Sequence, residues 1–168
     1  PHLVDGLLFG APTSRAATMA DVVSQLAALH GQVSFLASRV EGDRLVPVAQ
    51  LDSARALAIG SAFKLYVLAE LVRSVEVGTR HWTDVVRLDS TRRSLASGVT
   101  QTWPAGTPVT VQTLATLMIS QSDNTAADAL LHAVGRENVE RAQRMAGSVD
   151  GARNEPFLTT REMFLLKS

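Results

Sequence analysis

Apolar positions along the chain follow two periods. In "SRAATMADVVSQLAALHG", Met19, Val22, Val23, Leu26, Ala27 and Leu29 recur at helical spacing, and Gly31 closes the run. "QVSFLASRVEGDRLVPVAQLD" alternates instead, which predicts a hairpin with strands Val33–Val40 and Leu45–Leu51 around the turn "EGD". A helix is expected to open at Ser61 and run to about Val77, where Gly78 stops it. "VVRLD" reads as a short strand and "SLASGVTQTWPAG" as a loop. "TVQTLATLMISQ", "TAADALLHAVG" and "RENVERAQRMAG" predict further helices, the first two separated by "SDN". Arg136, Arg141 and Arg144 fall on the outer face of the last and read as solvated. After the loop "SVDGARNEPFL", "TTREMFLLKS" begins another helix, with Thr159 or Thr160 as N-cap and Glu162 completing a capping box. "LVDGLLFG" (Leu3–Gly10) reads as a strand or connector left from a preceding domain.

This order predicts an α/β domain with an antiparallel sheet and a helical block. A two-stranded hairpin alone is marginal, so further strands are expected to complete the sheet. The chain does not start with Met and is expected to be a piece of something longer.

Composition narrows the function classes. Apolar residues at 46% and charged residues at 19% fit a folded core. Sixteen basic residues balance sixteen acidic ones, which argues against bulk electrostatic binding to nucleic acid or an anionic membrane. With no cysteine, thiolate nucleophiles and thiolate metal sites are excluded. His2, His30, His81 and His132 share no ligand spacing, so no metal is expected. No apolar run has the length of a membrane span, and the start lacks the form of a signal peptide. A cytoplasmic location is expected, with secretion as the alternative.

"GSAFKLYVLAEL" (Gly60–Leu71) sets a serine three residues before a lysine at the mouth of an apolar run. On a helix, Ser61 and Lys64 would share a face, about 5–6 Å apart. A hydroxyl at a helix N-terminus gains from the dipole, and its own N–H can face an oxyanion. Burial of Lys64 would lower its affinity for a proton and make it a base toward Ser61. The same residues also read as an N-cap and a lysine snorkelling to water. Further on, "SQSDNTAADALL" places Ser122, Asp123 and Asn124 between two apolar helices. Such a break can turn a hydroxyl and an amide toward one cavity, with Asp123 holding the turn through backbone N–H groups. Asn124 could equally cap the next helix. Trp103 lies on the loop before this tripeptide and reads either as a wall of a cleft or as a core aromatic. Ser97 and Gly98 are in the same loop.

Ser61-Ala62-Phe63-Lys64 followed by Ser122-Asp123-Asn124 resembles the first two motifs of the class A serine β-lactamases and related penicillin-interacting enzymes. The likeness covers about residues 14–168, with residues 1–13 left as connector or last strand of a preceding domain. It implies a β-lactamase/transpeptidase-like fold and a serine hydrolase that needs no cofactor. By this resemblance Ser61 is the acylated nucleophile, Lys64 its proton acceptor and Ser122 the relay to the leaving group. Asn124 binds a substrate amide and touches Lys64, and Asp123 is structural; Trp103, from its place on the loop before the second motif, is a further candidate to line the substrate cleft. The partner implied is a small β-lactam or an ester borne on one.

Two departures matter. The family's third motif, Lys-Thr-Gly on a late strand, is not in the sequence, and neither are the closing strands. The loop before Thr159 is short, and Glu155 in "RNEPFL" is the one acidic candidate for a deacylating carboxylate. It also reads as a solvated loop charge. The segment "DGARNEPFLTTREMFLLK" is similar to actinobacterial β-lactamase-like proteins, including the one encoded with clavulanic acid biosynthesis, which carry an N-terminal isomerase-like domain. These departures imply an esterase or biosynthetic enzyme and a weak β-lactamase. A non-catalytic binding module and a penicillin-binding DD-peptidase are the rival expectations.

Overall fold

The computed structural model describes residues 16–95, 97–148 and 151–166. The strand expected at Leu3–Gly10 lies outside these residues. The chain divides into two compact units, residues 1–58 and 59–168.

In the first unit, helix α1 (Met19–Ala27) starts at Thr18. Thr18 Oγ1 accepts from Asp21 N at 3.1 Å, and the Asp21 carboxylate accepts from Thr18 N at 2.9 Å. This reciprocal pair satisfies donors that the first turn leaves open. Strands β1 (Phe35–Glu41) and β2 (Arg44–Leu51) form the expected antiparallel hairpin. Their register shifts between Ala37, opposite Ala49, and Ser38, opposite Pro47. Pro47 has no N–H to give to the ladder, and a bulge at that point accommodates it.

The second unit departs from the sequence reading at its first residues. Ser61 does not open an α-helix. Gly60–Phe63 forms a single 3₁₀ turn, and helix α2 (Lys64–Glu76) begins at the lysine. Gly60 enters this turn at φ +53°, and no side chain caps the α2 start, because the tighter turn already feeds into it. Helix α2 ends where expected, at Val77 and Gly78, the glycine at φ +75°. Strand β3 (Val85–Arg87) falls within the "VVRLD" segment. Its partner β4 (Pro108–Thr110) was not apparent in the sequence, because it merges into the helical pattern that follows.

Helix α3 (Val111–Ser120) is capped by Thr110 and buries Val111, Leu114, Ala115 and Met118. Helix α4 (Asn124–Val134) is capped by Asp123, and α5 (Arg136–Met145) follows directly after Gly135. Helix α6 (Thr160–Leu165) has the capping box of Thr159 and Glu162. The core of the unit is Val67 and Leu71 from α2, Leu114 and Met118 from α3, Leu130 from α4 and Val139 from α5, joined by Phe157. Burying each such side chain contributes about 1.5–3 kcal/mol. Phe157 also meets the rings of Phe63 and Tyr66, at centroid distances of 6.0 and 6.4 Å. The segment before α6 is thereby packed onto the turn that carries Ser61.

Not all of α5's arginines are simply solvated. Arg136 Nη2 donates to both carboxylate oxygens of Glu162, at 2.8 and 2.9 Å, and Arg144 pairs with Glu155. Among the described residues no helix is long and apolar enough to cross a membrane.

Candidate functional site

Lys64 points inward from the first residue of α2 and is 2% exposed. Its Nζ donates to Asn124 Oδ1 at 2.7 Å, to Ser122 Oγ at 2.9 Å and to the Ser122 carbonyl. These three acceptors match the three N–H bonds of an ammonium. A neutral amine would be satisfied by the same groups if the Ser122 hydroxyl turned its proton toward Nζ. Burial lowers the lysine's proton affinity, and the charges of Asp123 and Asp128 oppose that effect.

The amide of Asn124 is oriented by its second contact. Asn124 Nδ2 donates to Leu95 O at 3.1 Å, which leaves Oδ1 for the lysine. Ser122 sits between α3 and α4 at φ +52°, a left-handed conformation disfavoured for a residue with a Cβ. Its carbonyl, turned by that conformation, accepts from Lys64 and, at 2.6 Å, from Ser97 Oγ.

Asp123 is fully buried and holds the loop before it. Oδ2 accepts from the backbone N–H of Val99 and Thr100, at 2.7 and 2.9 Å. Oδ1 accepts from Thr100 Oγ1 at 2.6 Å and from Ala126 N at 2.9 Å. Burial alone would raise its pKa, but the hydrogen bonds from Thr100, Ala126 and Val99 hold it below the usual carboxylate range. Gly98 makes this approach possible. A Cβ there would lie 2.2 Å from the Asp123 carboxylate, and the residue has φ +96°. The helix cap is thus Asp123 and not Asn124, which leaves the Asn124 amide free to bind Lys64.

Ser61 is exposed on the 3₁₀ turn, and its hydroxyl is not among the partners of Lys64 Nζ. Trp103 is partly buried against the core, and its carbonyl accepts from Arg93 Nη2. Glu155 turns to Arg144 at the surface. The hollow between β3 and α4, lined by Leu88, Arg92, Thr125 and His132 among others, contains none of the motif residues. Burial and the Arg92 charge there lower the proton affinity of His132. Among the described residues no cluster of three or more His, Cys, Asp or Glu side chains could hold a metal.

The profile of the β-lactamase enzyme family matches residues 15–162. The chain belongs to that family. A β-lactamase structure from Sphaerobacter thermophilus is similar at 27% identity and a TM-score of 0.65, covering 76% of this chain and 47% of that one. β-Lactamase structures from Chitinophaga pinensis and Burkholderia vietnamiensis are each 21% identical, with TM-scores of 0.63 and 0.61. They cover 76% and 77% of this chain, and 48% and 46% of their own. The chain therefore spans about half the length of these structures. Comparison with curated proteins gives no match. The fold is that of the β-lactamases and transpeptidases, with a helical block and small antiparallel sheets.

This β-lactamase-family chain brings Lys64, Ser122 and Asn124 into one hydrogen-bonded cluster beside Asp123, with Ser61 three residues before the lysine on the 3₁₀ turn. Sequence reasoning missed Thr100, Thr160 and Asp128. Asp128 stands four residues after Asn124 in an otherwise apolar helix, and that isolated charge was its one visible signal.

Proposed function

We propose that this chain carries the acylating part of a serine hydrolase that acts on β-lactams or on esters borne by them. The observation that carries the reading is a buried lysine whose Nζ is bonded at once to the hydroxyl of Ser122 and the amide of Asn124. Ser61 is the nucleophile. Its hydroxyl proton passes to neutral Lys64 as Oγ bonds to the carbonyl carbon of the substrate. The carbonyl oxygen becomes the oxyanion, which the Ser61 N–H faces. When the carbonyl carbon parts from the leaving nitrogen or oxygen, Ser122 gives that atom a proton and takes one back from Lys64. Asn124 donates its remaining amide capacity to the substrate, and Trp103 walls the cleft.

Slow deacylation belongs to the same reading. Glu155, the carboxylate of "RNEPFL", is engaged by Arg144 and is not among the partners of Lys64. Weak β-lactamase action, esterase action and a role in making β-lactam-type metabolites are the consequence we favour. The likeness of the segment around Glu155 to actinobacterial β-lactamase-like proteins supports the biosynthetic role.

The test is intact-mass spectrometry of the intact protein after incubation with a panel of β-lactams. We expect a mass increase equal to the ring-opened compound, absent in Ser61→Ala. Saturable binding with no adduct on any member of the panel would replace this reading with that of a binding module.

A further inference from the structure

We propose that Asp128 positions and tunes the Lys64 site: its buried carboxylate fastens the start of α6 to α4 and supplies a negative charge that favours the lysine's ammonium. Asp128 is 2% exposed and lies one helical turn after Asn124 on the same face of α4. Oδ1 accepts from Thr160 N at 2.7 Å and from Thr160 Oγ1 at 2.8 Å, and Oδ2 accepts from Arg161 N at 3.0 Å. Thr160 and Arg161 carry the first two N–H groups of α6, which have no partner inside the helix. Thr159 Oγ1 takes the third, from Glu162, at 3.1 Å. Capping of this short helix is thus divided between its own N-cap and a side chain from α4.

The link continues to the lysine. Thr160 Oγ1 is 3.2 Å from Asn124 O and 2.8 Å from Ser94 Oγ. A hydroxyl has one proton to give. With Asp128 ionised, that proton goes to Oδ1 and Ser94 donates to Thr160 in turn, so Thr160 meets Asn124 O as a close packing contact without a proton of its own. Thr160 therefore stands between Asp128 and the residue whose side chain holds Lys64.

A carboxylate is the group this place requires. It presents acceptors on both oxygens, whereas an asparagine would turn an NH₂ toward one of the donating N–H groups. The charges around it are few. Lys64 approaches from α2, and Asp123 and His132 lie on α4 itself. Arg161 and Glu162 lie on α6, Arg136 on α5 and Arg92 on the loop after β3. Helix α3 has no titratable side chain. Desolvation raises the pKa of Asp128, while its hydrogen bonds to Arg161 N and Thr160 oppose that. Asp123 and Asp128 are the carboxylates whose charges oppose the effect of burial on Lys64.

The catalytic consequence rests on the Ser61 reading, but the electrostatic one does not, and the experiment separates them. Lys64 is titrated in the intact protein by ¹³Cε-lysine NMR, its signal assigned by its loss in Lys64→Arg. In Asp128→Asn we expect the Lys64 midpoint to move to lower pH, because a charge favouring the ammonium has gone. Thr160→Val, which removes the hydroxyl bond of the bridge and keeps the charge, should lower the melting temperature and leave the midpoint near its original pH. Asp128→Ser carries the same expectation as Asp128→Asn if the asparagine variant does not fold. An unmoved midpoint in the folded Asp128 variant would overturn the proposal, as would an equal shift in Thr160→Val. Acylation of Ser61 followed against pH should show its rising limb displaced in the same direction. If the unaltered protein forms no adduct, the Ser61 reading fails, and the NMR midpoint still decides the role of Asp128.

Discussion

Lys64 Nζ donates to Asn124 Oδ1 at 2.7 Å, across sixty positions of chain. The bond places an amino group between two helices at the point where each begins. A buried lysine is tolerable only where its N–H groups find acceptors. Ser122 supplies two of them from the turn before α4, and Asn124 supplies the third because Asp123 has taken the capping role.

The first expectation concerns the charge of Lys64. Burial lowers its pKa from 10.5, so the neutral amine becomes available at a lower pH than for an exposed lysine. Acylation of Ser61 should rise with pH through that lowered value and then level off. Lys64→Ala should slow acylation by about 10²–10⁴-fold, the usual range for general-base help. Lys64→Arg should not restore it, since a guanidinium stays protonated. Stopped-flow acylation over a pH series measures all of this, and a fully active arginine variant would reduce Lys64 to a structural cation.

Asp123 makes a stability prediction with a definite sign. Its folded pKa lies below the ordinary 3.8, so the folded state binds fewer protons than the unfolded state in that range. The stability it contributes is complete above pH 3.8 and is lost as pH falls through the folded value. Asp123→Asn should destabilise by about 2–3 kcal/mol near neutral pH, the scale of a hydrogen bond to a charged group. The difference from the unaltered protein should shrink on acidification. Denaturant unfolding at a series of pH values checks it.

Gly98 is tied to the same carboxylate. Gly98→Ala adds a Cβ 2.2 Å from Asp123 and fixes a side chain at φ +96°. The conformation costs about 1 kcal/mol and the overlap about 1–3 kcal/mol more. Thermal unfolding should show a loss of that order. A loss no greater than that of an alanine elsewhere in an exposed loop would mean the loop can shift off Asp123 freely.

Glu155 is expected to matter little. Its ion pair with Arg144 is partly exposed, and such pairs contribute about 0–1 kcal/mol. With a chromogenic cephalosporin, steady-state turnover should be slow and nearly the same in Glu155→Gln. Rapid hydrolysis that collapses in the glutamine variant would give this carboxylate the water-activating role.

The helices and the motif residues were legible because their signals are local. Thr159 reads as a cap and serves as one, and the apolar stripes of α2, α3 and α4 follow the helical period; the cap of α4 is Asp123, where the sequence offered Asn124. The 3₁₀ turn at Ser61 was not legible, since tightening by one residue leaves the apolar period almost unchanged. Strand β4 is three residues long and shares its last residue with the cap of α3. The position of Asp128 depends on α6, thirty-two residues away, and no local pattern encodes that meeting.

Asp123 has one more consequence. The loop around Val99 and Thr100 has only a single 3₁₀ turn of its own, yet two of its amide protons are held by a carboxylate from the cap of α4. Those amides can reach solvent only when that cap lets go. Their protection against hydrogen exchange is therefore set by the opening of the first turn of α4 and not by fraying of the loop. By this measure the loop belongs to the same cooperative folding unit as the helix, although it looks like surface.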